Sequence, residues 1–169
     1  MNENRIYLDN AATTPLDPAV IETMVSVMKE HYGNPSSTHG HGRKVKNIVE
    51  ESRSQIAKWL NCKPSEIFFT SGGTEADNLA LRGAATKLSV DAIISSPIEH
   101  HAVTHTVEEI AEKNGLPLHW VNVLENGHID LKHLQELLGK CTKPLVSLMH
   151  ANNEIGNMTH GESTYYFEI

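Results

Sequence analysis

Three short polar stretches carry the residue types that can do chemistry. Ser71-Gly72-Gly73-Thr74 joins an apolar run, Ile67-Phe68-Phe69-Thr70, to a segment in which Ala76, Leu79, Ala80, Gly83 and Ala84 recur at helical spacing. A helix that starts on such a turn leaves several backbone N–H groups without acceptors. Its dipole adds partial positive charge, so an anion is favoured there. Two consecutive glycines let the backbone approach a phosphate closely. The same residues also read as an ordinary strand-to-helix turn with Thr74 as N-cap. Glu99-His100-His101 brings an imidazole that titrates near neutrality and suits proton transfer, although a lone histidine at a strand end is more often structural. His150-Ala151-Asn152-Asn153-Glu154 brings amide donors and acceptors.

The elements that must position these stretches follow from the apolar pattern. Residues 67–70, 92–96, 118–123 and 144–149 read as strands. Helical segments fall between them, marked by Val103, Val107, Ile110 and Ala111, then by Leu131, Leu134, Leu137 and Leu138. The strands are continuous apolar runs rather than alternating ones, which predicts a mostly parallel sheet with helices on both faces, an α/β fold. Ligands in such sheets bind beyond the carboxyl ends of the strands. All three polar stretches fall at those ends, so a phosphate turn, a histidine and an asparagine converge on one sheet edge.

Upstream, Ile6-Tyr7-Leu8 reads as a short strand and Asp9 to Pro15 as an extended loop. Asp17-Pro18 is an N-cap followed by proline at the first helical position. It opens a helix to about Glu30, with Val20, Ile21, Met24, Val27 and Met28 on one face. Residues 33–42 read as a long loop holding His39 and His41, a weak metal pair with no cysteine or carboxylate beside it. From Arg43 an amphipathic helix runs to Leu60 and ends at Asn61-Cys62-Lys63-Pro64. Cys62 reads as a helix-terminating residue with no acid–base partner.

Composition excludes several classes. A formal net charge of −7 argues against binding nucleic acid through its phosphates. No apolar run reaches the roughly 20 residues of a membrane span. No secretory signal is visible at the N-terminus. Two cysteines do not make a disulfide framework, so a cytoplasmic setting is expected. Eleven histidines raise the question of a metal, but they are scattered, and no metal site is predicted.

Five motifs in series now define a resemblance. They are Tyr7-Leu8-Asp9-Asn10-Ala11-Ala12-Thr13-Thr14-Pro15, Gly33-Asn34-Pro35-Ser36-Ser37, Phe69-Thr70-Ser71-Gly72-Gly73-Thr74-Glu75-Ala76-Asp77-Asn78, Glu99-His100 and His150-Ala151-Asn152-Asn153-Glu154-Ile155-Gly156. Together, over about residues 5–158, the chain resembles the cysteine desulfurases. These are pyridoxal 5'-phosphate (PLP) enzymes of the class V aminotransferase group and of fold-type I. The resemblance implies that Gly73 and Thr74 bind the cofactor phosphate. It implies that His100 stacks on the pyridine ring and moves protons, and that Asn153 lies near the phenolic oxygen and the substrate carboxylate. Asn152 is read as structural. Ala11 and Thr13 would lie near the substrate. The implied reaction takes sulfur from L-cysteine, leaving L-alanine and an enzyme persulfide for a sulfur-acceptor protein in iron–sulfur cluster assembly or transfer-RNA thiolation. The family's complete chain is expected to be a homodimer.

The chain also departs from the family. The segments that would carry the cofactor-holding lysine, the aspartate on the pyridine nitrogen, the arginine for the substrate carboxylate and the nucleophilic cysteine find no match. Residues 160–169 do not follow the family pattern and are expected to be a frameshift or truncation tail outside the native fold. The expected organisation is an N-terminal strand, loop and helix over residues 1–45, a partial PLP-binding large domain over 46–159, and that tail. Alone, the chain is expected to be inactive. Other readings stay open: another class V aminotransferase, a selenocysteine lyase, or a non-catalytic phosphate-binding or dimerising fragment. A dinucleotide-binding module is disfavoured, because the turn lacks the G-x-G-x-x-G spacing.

Overall fold

The computed structural model describes residues 6–159; the sequence expectation for residues 160–169 lies outside them. The chain packs as two compact units, Met1–Phe69 and Thr70–Ile169.

In the first unit, helix α1 spans Pro18–Glu30 and α2 spans Gly40–Trp59. A short 3-10 turn, Pro64–Glu66, follows. Helix α1 starts where the Asp17-Pro18 signal places it, with the Ala19 N–H donating to Asp17 Oδ1 at 2.8 Å. None of its residues is buried, and its apolar stripe, Ile21, Met24 and Met28, is open to solvent. Two expectations are corrected here. The loop expected over residues 33–42 is shorter, because α2 already begins at Gly40 with His39 as its N-cap, Nδ1 accepting from the Gly42 N–H. Residues 6–8 form no strand. A strand needs a hydrogen-bonded neighbour, and none among the described residues pairs with them; the Tyr7 hydroxyl instead meets Thr13 Oγ1 at 2.6 Å.

The second unit is built on a three-stranded parallel sheet. Strands β1 (Ala92–Ser95), β2 (Leu118–Trp120) and β3 (Pro144–Ser147) lie in the order β2-β1-β3. Ile93 stands opposite Leu118 on one side and Leu145 on the other. Helices α3 (Gly73–Lys87) and α4 (His101–Asn114) supply Leu81, Val103, Val107 and Ile110, which pack with Ile93. Helix α5 (Leu131–Leu138) supplies Leu134 and Leu137, which pack with Ile94 and Val121. Neighbouring residues of β1 thus enter separate clusters, and the strand is buried throughout. That two-sided burial is why it reads as a continuous apolar run.

The strand expected over residues 67–70 is not formed. Its apolar composition is right, but no described residue offers it a ladder, and Phe68 stays 73% exposed. Arg53 occupies this stretch instead, donating to the Ile67 carbonyl at 2.5 Å and lying 4.8 Å from the centre of the Phe69 ring. The strand read over residues 118–123 ends at Trp120. Beyond it, Val123 makes only an isolated antiparallel bridge to Ile129.

The two burial regimes give a direct stability test. Ile93→Ala, at a fully buried central position, is expected to cost about 2–5 kcal/mol. Met24→Ala, on the open stripe of α1, should change stability by less than about 0.5 kcal/mol. Urea melts of the two variants followed by circular dichroism measure both.

Candidate functional site

Helix α3 begins on Gly72, which is extended and offers no side-chain cap. This corrects the reading of Thr74 as N-cap: Thr74 is already inside the first turn. The first ladder bond is Ala76 N–H to the Gly72 carbonyl at 3.1 Å. The N–H groups of Gly73, Thr74 and Glu75 therefore have no acceptor among the described residues, nor has the Thr74 hydroxyl a partner. A Cβ built on Gly72 or Gly73 would meet nothing within 4 Å. Glu75, the one acidic residue of this turn, is drawn back onto Ser71, accepting from both its N–H and its hydroxyl at 2.7 Å. Those two bonds hold the Glu75 carboxyl below its ordinary pKa. Open amides, a free hydroxyl and clear space fit a phosphate monoester.

Helix α4 starts beside it. Asn78 Oδ1 accepts from Thr106 Oγ1 at 3.0 Å, and Arg82 Nη2 meets Glu109 Oε2 at 2.6 Å. A nearly constant offset along both helices means that they run parallel, with their N-termini at the same end. A groove of about 430 Å³ lies between them, lined at its head by Thr74, His100, His101 and Ala102 and at its foot by Arg82 and Glu109. Glu109 also binds Lys113. Arg82 first, then Lys113, lower its carboxyl to about 2. The foot of the groove is thus self-neutralised, while both helix dipoles direct their positive ends at the head.

His100 is the N-cap of α4, and its Nδ1 accepts the Ala102 N–H at 3.0 Å. A backbone N–H can only donate, so Nδ1 is the unprotonated nitrogen, and neutral His100 carries its proton on Nε2. The turn before it is tied to the segment after β3. Glu99 Oε1 accepts the Met149 N–H, and the Asn152 side-chain amide donates to the Ile98 carbonyl at 2.8 Å. Asn152 Oδ1 also takes the N–H groups of Glu154 and Ile155 at 2.8 and 3.1 Å. Asn152 is a buried structural knot.

The structure brings Thr74 and His100 to one groove, with Gly73 one residue from its lining. Asn153 is exposed outside that lining, its side-chain amide 3.1 Å from Glu154 Oε1. Ala11 and Thr13 lie in the loop of the first unit, exposed, where the Ala12 and Thr13 N–H groups donate to the Asp9 carbonyl. Sequence reasoning preferred His100 to His101 and did not single out His105; the rings of His101 and His105 stack with centres 5.2 Å apart and also line the groove. Their four-residue spacing on a helix was the available signal.

A family model described as aminotransferase class-V matches residues 6–164. The chain is 46% identical over 158 residues to "Cysteine desulfurase IscS" of Dictyoglomus turgidum, covering 92% of this chain and 40% of that protein. It is 45% identical over 154 residues to "Cysteine desulfurase IscS" of Neisseria meningitidis serogroup C, covering 89% and 38%. Among solved structures, a NifS-like protein superposes with a TM-score of 0.84 at 40% identity, covering 92% of this chain and 43% of that one. A structure described as SspA in complex with cysteine superposes with a TM-score of 0.80 at 33% identity, covering 90% and 44%. The chain belongs to the aminotransferase class-V family, and it spans about two fifths of the length of the curated relatives it matches.

The Glu99 tie gives a pH test. Burial, opposed by the Met149 bond and aided by the nearby Asp77 charge, raises its carboxyl above the ordinary 4.5. The folded chain then holds that proton to higher pH than the unfolded one. The contribution to stability is full below the unfolded value and declines as pH rises through the folded one. Glu99→Gln keeps an acceptor for Met149 without the charge, so it should be no less stable than the parent at pH 7, with any gain vanishing below pH 4.5. Glu99→Ala should cost about 1–3 kcal/mol by orphaning that amide. Urea midpoints across pH check both.

Proposed function

We propose that this chain carries the phosphate-binding and proton-handling part of a PLP-dependent cysteine desulfurase site. Residues 46–159 would form the partial cofactor domain, behind the N-terminal segment 1–45. The observation that supports it most is the groove head, where open amides at the N-terminus of α3 face His100 at the N-terminus of α4. In this reading the Gly73 and Thr74 N–H groups and the Thr74 hydroxyl bind the phosphate. The Ala102 bond fixes the His100 ring, leaving Nε2 to hold or release a proton. Asn153 serves near the phenolic oxygen and the substrate carboxylate, and Ala11 and Thr13 near the substrate. Bound PLP supplies an electron sink for the carbon bearing the substrate amine.

The substrate in this reading is L-cysteine, and the sulfur passes to an acceptor protein for iron–sulfur cluster assembly or transfer-RNA thiolation. The relatives' printed names and the cysteine bound to one structural neighbour support that choice. A homodimer of the complete protein and a cytoplasmic location belong to the same proposal. Cys62 and Cys141 are both free thiols, which suits a reducing compartment. Among the described residues no helix is long and apolar enough to cross a membrane. For residues 6–159 the proposal covers cofactor binding and proton handling.

Titration with PLP, followed by amide NMR shifts, tests the reading. Gly73, Thr74 and Glu75 should move with PLP and not with pyridoxal, which lacks the phosphate. Thr74→Val should weaken binding by about fivefold, the worth of roughly one hydrogen bond. Unmoved amides at 73–75 would contradict the proposal.

A further inference from the structure

Taking residues 73–75 as the phosphate site proposed above, we infer that Asn78 is its positioning residue. Held from α4, the Asn78 side chain orients the Thr74–Glu75 peptide, and with it the Glu75 N–H offered to a phosphate. Three hydrogen bonds fix that side chain. Its Nδ2 donates to the Thr74 carbonyl at 2.9 Å, and its Oδ1 accepts from Arg82 Nε at 3.1 Å and from Thr106 Oγ1 at 3.0 Å. A guanidinium N–H can only donate, so the atom it meets is the amide oxygen. The amide nitrogen therefore faces Thr74.

The Thr74 carbonyl and the Glu75 N–H belong to one planar peptide unit. A bond that fixes the direction of the carbonyl also fixes the direction of the N–H on its far side. This matters at a helix start. The ladder of α3 begins only with the Ala76 N–H, and first turns fray. The Glu75 N–H has no acceptor among the described residues to aim it, so the bond to Thr74 aims it from behind. A hydrogen bond to the carbonyl also polarises the peptide and makes its N–H a better donor.

Asn78 takes its own position from α4. Thr106 is 4% exposed and stands about 9 Å of helix rise beyond His100. Arg82, the other donor to Oδ1, is itself paired with Glu109 of α4. Asn78 thus carries the position of α4 to the first turn of α3, and α4 is the helix that His100 caps. One hydrogen-bonded chain sets both the phosphate donor and the helix bearing the imidazole.

Two conservative changes test this away from the phosphate. Thr106→Val keeps the shape and removes the hydroxyl; Thr106→Ser keeps the hydroxyl. In the 169-residue chain without ligand, NMR relaxation should give the Glu75 N–H an order parameter of about 0.85, as for rigid backbone. It should fall in Thr106→Val and in Asn78→Ala and return to the parent value in Thr106→Ser. PLP binding, read from the Gly73 and Thr74 amide shifts, should weaken about threefold in Thr106→Val and about tenfold in Asn78→Ala. Thr106→Ser should bind as the parent does. A Glu75 order parameter unchanged in both Thr106→Val and Asn78→Ala would overturn the inference. So would urea midpoints that fall while PLP affinity stays at the parent value, since Asn78 would then only hold the two helices together. A parent chain whose order parameters follow this pattern but whose amides ignore PLP would contradict the function proposed above and leave the Asn78 tether standing.

Discussion

The site depends on the parallel pairing of α3 and α4. The pairing follows from the sheet. Helix α3 feeds β1 through residues 88–91, and α4 leaves β1 through residues 96–100. Both helices must run back against the strand, so both start at its carboxyl end. The Asn78–Thr106 and Arg82–Glu109 contacts then fix their offset. The consequence is electrostatic: two helix N-termini share one groove head, one capped by His100 and one left open at Gly73 and Thr74. A phosphate placed there meets two positive dipole ends and unpaired donors.

This pairing also explains which part of the sequence reading held. The open turn at residues 72–75 was legible from Gly72-Gly73 and the helical spacing after it. The reason assigned to its position was wrong, because residues 67–70 form no strand. The position survives because α3 is held by α4 and by Leu81 in the core, not by what precedes it. Asp17-Pro18 was legible to the residue because a cap and a fixed φ are local chemistry. The strand at residues 67–70 was not, because strand formation requires a neighbour that local composition does not reveal.

The remaining site residues divide in the same way. Asn152 was separable from Asn153 on the motif, and the hydrogen bonds of Asn152 to Ile98, Glu154 and Ile155 give the physical reason. The tie between Glu99 and Met149 joins segments fifty residues apart, and no sequence spacing announces it. His101 and His105 show the opposite failure: their four-residue spacing was plain, but only His39 and His41 were weighed as a pair, and the helix that aligns the other two was not used.

The central claim is that the open amides of α3 and the ring of His100 face one ligand at the groove head. An isotope-edited nuclear Overhauser measurement between bound PLP and the protein tests it most directly. The account predicts contacts from the cofactor's pyridine-ring protons to the carbon-bound protons of His100. Contacts that fall only outside the groove between α3 and α4, on the polar face of α2 for example, would contradict it.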